Sequence, residues 1–542
     1  MIQQIITFDG GLSTKRRPHL IQRNEGIVCE NVDLEAGGLC PLADWEYEGN
    51  YTGKYLYRWN DSMISNLADT DERFYDTFGG RVYWTDRDYT TSGLRRYNAT
   101  VTPDPNVGED ADSPDAPDAA PTNTLSNGQH NGRSSGDYVY CYTFVDDGGI
   151  ESPPSPFMSV SIVDDDAINL TLPDTNAPAD LAYRRIYRTG GANPTFNLIA
   201  EVAVGTTTYT DNTRDIDVSR IELYTFENYS AVDELDMLIE CNGTMWGALG
   251  KNVYFSRTGS PEYWGLLDYV TLDKNVTGLG KFGNSVVAFT RTSAYFINGS
   301  TRDDIDVQRL PFNQGCINKY SIVNIDSYLL WTSLDGVCIF NGSTIDIITK
   351  RKLDWDEFGR VGELTFGDFD STTTKWDSSL GFEITYAIGY RDKYYGVYSD
   401  GIVHIDLSDG IKIGTIRLEG VTTLMINDDD NILYGIKPNE TSGYDAYFLP
   451  SGCDNRMTAV WQTGRLADET TDITKHYRYV EFDAVPDSVE VFIDGVSIKT
   501  YTSRQNFKLP AGSFGRDIQF KITTTNPIRS LKYEYTHMKA SR

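Results

Sequence analysis

The chain has 542 residues, which is too long for one hydrophobic core and predicts about three or four domains. Its 78 acidic and 48 basic residues leave a formal net charge of −30, which disfavours a protein that grips nucleic acid through a basic stripe. The seven cysteines are scattered and form no CxxC motif, so we expect no structural zinc and assembly in a reducing cytoplasm. No stretch is apolar enough to span a membrane, and the N-terminal residues lack the pattern of a signal peptide.

One short pattern recurs along the chain and predicts its main architecture. In each copy, a few aromatic or β-branched residues precede a polar turn and a second apolar run, which is typical of two β-strands joined by a tight turn. The copies are RVYWTDRDYTTSGLRRYN (81–98), TMWGALGKNVYFSRTGS (244–260), SVVAFTRTSAYFINGS (285–300), YLLWTSLDGVCIFNGS (328–343), YYGVYSDGIVHIDLSDG (394–410) and ILYGIKPNETSGYDAYFLPSG (432–452). The later spacings of about 40 residues, with one of about 65, are close to the blade period of a β-propeller. We therefore predict an all-β fold with a propeller of about six blades, and a seventh blade stays open.

In chain order, the segments differ in composition. Residues 1–50 form an N-terminal leader, residues 51–101 carry the first hairpin, and residues 102–136 are rich in Pro, Asp, Asn, Ala and Gly. This last composition predicts a flexible linker. Residues 137–213 alternate strands and turns at the spacing of a small β-sandwich, so we expect an inserted fibronectin type III-like module. Residues 214–465 hold the other five hairpins and form the main propeller segment.

The end of the chain and the order of the hairpins suggest how the fold closes. Residues 466–542 end the hairpin pattern and predict a compact antiparallel β-rich module. Because a propeller chain commonly enters and leaves beside the same blade, we expect the hairpin at 81–98 to close a ring with blades much later in the chain. Within the sandwich, Arg184, Arg185 and Arg188 are expected to point away from its apolar anchors.

No catalytic constellation stands out. The five histidines form no HExxH or other metal-ligand spacing, and GxSxG, P-loop and GxGxxG motifs are absent. The acidic runs at 164–166 and 428–431 lack the spacing of an EF-hand loop and are more typical of solvated turns. His404 alternates with apolar residues in GIVHIDL and is expected on a strand face. We therefore predict that the protein is not an enzyme and holds no metal or cofactor.

The segment YFSRTGSPEYW (254–264) is more specific than the acidic runs, because it places two aromatic residues after a tight turn. Tyr263 and Trp264 are candidates for a hydrophobic plug between blades or for an interface anchor. A carbohydrate platform is the third possibility, in which Glu262 would supply a carboxylate beside the rings.

Several motifs follow one another in an order typical of one protein family. They are the leader FDGGL…RNEG…NVDLEAGGLCPL, then YTFVDDGGIESPPSP, RRIYRTG and TTYTD, then VYFSRTGSPEYW and LLWTSLDGVCIFNG, and a closing module of the form IDG…LP…GR. In these motifs and in their order, the chain resembles the tail nozzle proteins of short-tailed bacteriophages, also called tail hub proteins or tail tubular protein B. The likeness spans most of the chain, and the segment 102–136 has no counterpart in it.

The resemblance implies a structural virion protein. Such proteins form a homohexameric ring below the portal and the head-tail adaptor, extend the channel through which the genome leaves, and carry fibres, a spike or a needle. The leader and the C-terminal module would form the platform against the adaptor, and the location would be the virion tail after assembly in the host cytoplasm. The acidic charge fits a channel that guides genomic DNA without sequence-specific binding.

A gate in this channel is a further expectation. The long segment at 353–380 mixes charge and bulk, and its candidate channel or gate residues are Asp354, Trp355, Asp356, Phe358 and Arg360. An exposed loop that decorates a blade is the alternative. The alternative function for the whole chain is a propeller-type glycan-binding or glycan-cleaving phage tail protein.

Overall fold

The computed structural model describes residues 1–5, 7–13, 20–59, 62–66, 72–85, 94–97, 109–111, 113–126, 135–163, 166–232, 234–352, 384–399, 401–427, 432–440, 443–450, 455–467 and 473–538. Within these residues the secondary structure consists of β-strands and the short 3-10 helices Asp215–Asp217, Lys319–Ser321 and Thr349–Arg351. The all-β fold class is thus confirmed. No helix in the described ranges is long and apolar enough to cross a membrane.

The chain divides into two compact units, which are described separately. Unit 1 comprises Met1–Thr70, Val276–Ile297 and Val307–Arg542, and unit 2 comprises Asp71–Asn275 and Asn298–Asp306.

Unit 1 contains three four-stranded sheets and, third in the order given next, a run of four adjacent strands that forms one end of a nine-stranded sheet. Their strands are β23 (Val276–Phe282), β24 (Ser285–Thr290), β25 (Ala294–Asn298) and β26 (Asp306–Arg309); β27 (Val323–Ile325), β28 (Tyr328–Ser333), β29 (Gly336–Phe340) and β30 (Ile345–Ile347); β31 (Tyr386–Tyr390), β32 (Lys393–Tyr398), β33 (Gly401–Asp406) and β34 (Lys412–Ile416); and β35 (Thr423–Asn427), β36 (Ile432–Pro438), β37 (Tyr444–Phe448) and β5 (Glu46–Tyr51). A separate hairpin joins β6 (Leu56–Trp59) to β7 (Ser62–Ser65). The first strands lie side by side in the order β23, β27, β31, β35 and β6.

Neighbouring sheets of unit 1 pack face to face. The second strand of each sheet is buried over most of its length, which explains why these strands are apolar runs in the sequence. Phe289 on β24 and Trp331 on β28 show the contact, with ring centroids 4.7 Å apart. The hairpin pattern therefore corresponds to sheets whose two faces are both covered.

The sheet of β35, β36 and β37 is completed by β5, a strand from the N-terminal part of the chain. β5 pairs antiparallel with β37, so that Tyr51 lies opposite Tyr444. The hairpin at 81–98, which we expect to close a ring with later blades, lies in its own four-stranded sheet in unit 2, and its place in a ring stays a prediction.

The two ends of the chain are combined in the same sheets of unit 1. The additional strands are β1 (Ile2–Ile5), β2 (Gly26–Glu30), β3 (Val32–Asp33), β4 (Cys40–Pro41), β38 (Ala459–Thr463), β39 (Lys475–Phe482), β40 (Ser488–Ile493), β41 (Val496–Thr502), β42 (Asn506–Lys508), β43 (Phe514–Gly515), β44 (Ile518–Thr524) and β45 (Leu531–His537). A nine-stranded sheet has the order β31-β32-β33-β34-β2-β38-β44-β40-β41, and a five-stranded sheet has the order β1-β45-β39-β42 with β43 on β39. β38 belongs to the C-terminal module, which therefore begins before the predicted boundary at residue 466.

β1 and β2 are integral to these two sheets, while β3 and β4 pair with each other in a two-stranded sheet. β2 is parallel to β34 on one side and antiparallel to β38 on the other, while β1 is antiparallel to β45. Phe8 packs edge-on against Trp461, with ring centroids 5.8 Å apart, in a core shared by both chain ends. We name these two sheets the terminal platform.

Unit 2 contains two four-stranded sheets and a sandwich. The first two consist of β8 (Tyr75–Phe78), β9 (Arg81–Thr85), β10 (Leu94–Tyr97) and β11 (Glu109–Asp110), and of β19 (Met237–Cys241), β20 (Thr244–Leu249), β21 (Asn252–Arg257) and β22 (Ser260–Thr271). The sandwich consists of β12 (Thr122–Ser126), β15 (Ala167–Thr171) and β18 (Thr208–Asp211) in one sheet, and of β14 (Met158–Ile162), β13 (Gly136–Asp146), β16 (Leu181–Gly190) and β17 (Asn193–Ala203) in the other. Both sandwich sheets contribute to one apolar core.

The sandwich begins earlier than the sequence suggested. β12 pairs with β15 along five residues, so Thr122–Ser126 are part of a sheet and not of a linker. The prediction of a flexible linker over 102–136 is therefore wrong for residues 122–126. That prediction rested on the composition of the whole segment, which hides the short strand within it.

Candidate functional site

The sequence predicts candidate gate residues in the segment 353–380. Asp354, Trp355, Asp356, Phe358 and Arg360 lie outside the described residues. The acidic run at 428–431 also lies outside them, as does most of the run at 164–166.

Trp264 lies in the core of unit 2. Its side chain is 2% exposed and packs in a cluster with Leu238 and Met245. The indole Nε1 donates to the carbonyl of Pro261 at 2.8 Å, and the backbone N–H donates to the carbonyl of Tyr229 at 2.8 Å. The ring is therefore an internal plug, and it offers no surface to a partner or to a sugar.

Tyr263 joins the sandwich to strand β22. Its hydroxyl accepts a hydrogen bond from the backbone N–H of Glu151 at 2.9 Å. The carbonyl of Glu151 in turn accepts from Asn228 Nδ2 at 2.9 Å and from Ser113 Oγ at 3.3 Å. Burial raises the pKa of Tyr263. This candidate interface residue thus serves a contact inside the chain, between the turn after β13 and the sheet of β22.

The turn that makes this contact needs glycine. In Asp146-Asp147-Gly148-Gly149, a Cβ at Gly148 would lie 2.2 Å from Arg96 Nη2, and Gly149 has a φ of +82°. Asp146 Oδ1 accepts from the backbone N–H of Ile150 at 2.7 Å and is nearly fully buried. Burial raises the pKa of this carboxyl group to about 6, against the opposing effects of that hydrogen bond and of Arg96.

The carboxylate of Glu151 accepts three side-chain hydrogen bonds. Oε1 accepts from Thr143 Oγ1 at 2.6 Å and from the Tyr187 hydroxyl at 2.7 Å, and Oε2 accepts from Arg185 Nη1 at 2.7 Å. Burial and the Glu151 charge raise the pKa of Tyr187. These hydrogen bonds hold the Glu151 side chain, and with it the turn after β13, in position. Because Glu151 is buried, its carboxylate is not accessible to a substrate.

A second buried carboxylate lies beside the first strands of unit 2. Glu262 Oε1 accepts from the Tyr83 hydroxyl at 2.7 Å, from Arg96 Nη1 at 3.3 Å and from Arg81 Nη1 at 3.4 Å. Its side chain is 11% exposed. Glu262 and Trp264 are both buried, so they do not form the exposed surface of aromatic rings and carboxylates that a carbohydrate platform would need.

The arginines of RRIYR do not all point away from the sandwich core. Arg188 is buried and donates to Asp211 Oδ2 at 2.7 Å and to Asp215 Oδ1 at 3.1 Å. Arg184 is also buried and pairs with Asp174. The prediction was wrong for these two residues because each pairs with a carboxylate from another part of the sandwich chain, and the local sequence pattern does not show these pairs.

The remaining titratable groups are consistent with packing roles. His404 lies on β33, is nearly fully buried against Tyr395, and has a pKa lowered to about 4 because burial disfavours its charged form. Burial raises the pKa of the Cys316 and Cys338 thiols to about 12. Among the described residues, no group of three or more His, Cys, Asp and Glu side chains has the geometry to hold a metal ion.

Comparisons with known proteins give no family. No protein-family model and no curated protein matches the chain. Among solved structures, Kluyvelomyces marxianus Hsv2 is 11% identical, with a TM-score of 0.26 over 56% of this chain and 90% of that one. Citrobacter koseri AztD is 10% identical, with a TM-score of 0.27 over 71% and 98%, and its apo form is 9% identical, with 0.26 over 72% and 100%. Likenesses at these scores carry no conclusion about this chain.

Proposed function

We propose that the chain is a structural protein of a short-tailed phage virion, a ring-forming tail nozzle that extends the DNA-ejection channel below the portal and the adaptor. The proposed ring is a homohexamer, and the proposed partners are the adaptor, the fibres, spike or needle, and the passing genome. A gate for packaged DNA is part of the proposal.

The terminal platform is the observation that carries this proposal. Both chain ends pair into two large sheets, and one of these sheets continues into β31–β34 without a break. A stiff body of this kind suits a subunit that must hold its shape within an assembly. The leader and the C-terminal module, which contain some of the motifs of the family resemblance, supply the strands β1, β2 and β38–β45 of this body.

Five four-stranded sheets outside the sandwich, and the four adjacent strands β31–β34, support the propeller part of the proposal. In unit 1, the first strands of successive sheets lie side by side, and an N-terminal strand completes the last sheet. Both features are typical of β-propellers, in which radial repetition leaves only short edges. In unit 2, the first strands β8 and β19 are also neighbours. We propose six blades, with the sandwich of β12–β18 as a fibronectin type III-like insertion.

The net charge agrees with a conduit. Six copies at −30 amount to −180, and DNA carries one phosphate charge per about 1.7 Å of its axis. Repulsion that is screened over about 8–10 Å would keep DNA from adhering to an acidic wall.

Assembly on the adaptor tests this function. The purified chain is mixed with the adaptor ring of its phage, and the mass of the complex is measured by native mass spectrometry. We expect six copies per adaptor ring. A chain that stays monomeric with the adaptor, and that binds or cleaves host polysaccharide, would refute the nozzle and support the glycan function. The burial of Trp264 and Glu262 disfavours that second outcome.

A further inference from the structure

Unit 1 has an exposed strand edge at the end of the terminal platform. β41 (Val496–Thr502) is the last strand of the nine-stranded sheet, and among the described strands it pairs with β40 alone. Six of its seven residues are exposed, and Val496 and Ile498 are 64% and 40% exposed. An exposed strand edge presents a row of free backbone N–H and C=O groups, which is a template for pairing with another chain.

A second exposed edge in unit 1 is β5 (Glu46–Tyr51), which ends the sheet of β35, β36 and β37. Within the described part of the chain, β5 pairs with β37 alone. Glu46, Tyr47 and Glu48 are exposed, and the Tyr47 side chain is 57% exposed. With six residues against the seven of β41, the two edges are nearly equal in length.

The two edges carry opposite charges. Residues 496–508 comprise β41, the turn after it and β42, and they contain no carboxylate but three basic residues, Lys499, Arg504 and Lys508. Such a stretch stands out in a chain with a formal net charge of −30. β5 contains Glu46 and Glu48 and no basic residue, and among the described edge strands of unit 1 it is the one with two carboxylates. These five charged side chains are exposed, and none is in an ion pair within the described residues.

We propose that β41 of one copy of this chain pairs edge to edge with β5 of the next copy. The inference rests on the proposed function, because a subunit of a ring must contact a neighbour on each side. It deepens that function by naming the two strands that make the contact. A contact between two different surfaces of the same chain is heterologous, and it generates a ring when the rotation from copy to copy closes.

Charge selects β5 over a second β41 as the partner. Lys499 is the central residue of β41, and Glu48 lies in the middle of β5, so a centred pairing in either strand direction brings opposite charges together. Two β41 edges would instead bring two copies of Lys499 together, and like charges that lie opposite each other across strands are destabilising. Lysine on an edge strand is a common device against such like pairing. The Lys499 ammonium group lies 5.2 Å from the centroid of the Tyr501 ring and is available to a carboxylate of another copy.

Backbone and side chains both contribute to this contact. When a strand is added to the edge of a sheet, main-chain hydrogen bonds supply the affinity, so the contact does not depend on a large apolar surface. Val496, Ile498 and Tyr47 are exposed β-branched and aromatic side chains, which are favourable in cross-strand pairs. The pairing joins the nine-stranded sheet of one copy to the sheet of β5 in the next copy.

An exchange of charges tests the pairing in the full-length chain. The variants are Lys499→Glu, Glu48→Lys and the double variant that carries both changes, and ring formation is measured over a concentration series by analytical ultracentrifugation, with and without the adaptor ring. Each single variant should raise the midpoint concentration of assembly about tenfold, because it places like charges opposite each other. The double variant restores opposite charges, and its midpoint should return to within about threefold of that of the natural chain.

Lys251→Glu and Asp303→Lys are the matched controls. They change the net charge of the chain by the same amounts as the two single variants, at exposed positions of unit 2 that belong to neither edge strand. They account for the general repulsion between acidic copies and should shift the midpoint less than about twofold. Unchanged thermal unfolding shows that all the variants are folded.

Failure of this inference is distinguishable from failure of the proposed function. If the single variants assemble like the natural chain, or if the double variant is not restored, β41 and β5 are not partners, and the nozzle function stands. If the natural chain forms a ring neither alone nor on the adaptor, both are wrong. A photocrosslinker placed at Thr500 in the virion should capture residues 46–51 of a second copy, and capture of β41 or of another virion protein would overturn the choice of partner.

Discussion

Replacing Asp146 by Asn should stabilise unit 2 at neutral pH. Asp146 is 5% exposed, and its pKa is raised from the ordinary value of 3.8 to about 6, first because burial disfavours the charged form. Arg96 and the hydrogen bond from Ile150 oppose this effect, while Asp147 and Asp180 add to it. The carboxylate is therefore held ionised at pH 7 at a cost in folding free energy.

The magnitude follows from linkage. A rise of about two pKa units corresponds to about 3 kcal/mol between the two protonation states. Because the folded pKa lies above the unfolded one, the folded chain binds more protons between about pH 4 and pH 6, and this contribution to stability falls as the pH rises through that window. Asn keeps the Oδ1 acceptor for Ile150 and removes the charge, so up to about 3 kcal/mol should be recovered at pH 7.5, a figure that already includes the loss of the attraction to Arg96.

Hydrogen exchange of residues 144–152, followed by mass spectrometry, measures this effect directly. Exchange in the natural chain should slow as the pH is lowered from 7 to 5, after correction for the intrinsic rate, and the Asp146→Asn chain should show no such change. Glu151 and Tyr263 are retained in both chains, so the junction itself is unchanged. Faster exchange in the variant at pH 7.5, or protection in the natural chain that grows with rising pH, would refute the reasoning.

Three further substitutions test packing and buried polar groups, each by urea unfolding against the natural chain. Trp331→Ala should destabilise unit 1 by about 3–5 kcal/mol, since it leaves a cavity between two sheets, and a loss below about 1 kcal/mol would contradict that packing. Glu262→Gln should cost about 1.5–3 kcal/mol in unit 2 because Tyr83 and Arg96 would lose a charged hydrogen-bond acceptor while Arg96 keeps its attraction to Asp146, and an unchanged midpoint would show that water replaces this acceptor. Tyr263→Phe leaves the buried N–H of Glu151 without its acceptor and should cost about 1–3 kcal/mol, whereas a neutral result would mean that water replaces the hydroxyl.

The sequence predicted the hairpins well because their signal is local. Alternation of aromatic and β-branched residues around a turn depends only on neighbours in the chain, and the second strands are apolar throughout because both of their faces are covered. The strand β5 was not predicted, because it lacks this local pattern. Its sequence, EYEGNY, is polar and largely exposed, and only its partner strand β37 makes it part of a sheet.

The candidate site was predicted less well, because its features depend on three-dimensional pairing. The motif YFSRTGSPEYW drew attention to Tyr263 and Trp264, but nothing local shows that one ring is internal and that the other binds the turn after β13. The arginines of the sandwich were misplaced because their carboxylate partners lie more than ten residues away along the chain in most cases, as Asp211 does for Arg188.

Cryo-electron microscopy of the intact virion tail tests the central claim most directly. The account predicts a sixfold ring of this chain on the tail axis, directly below the adaptor, with an open channel and with the terminal platform facing the adaptor. A chain that is found only at the periphery of the tail, or as separate monomers with no axial channel, would contradict it.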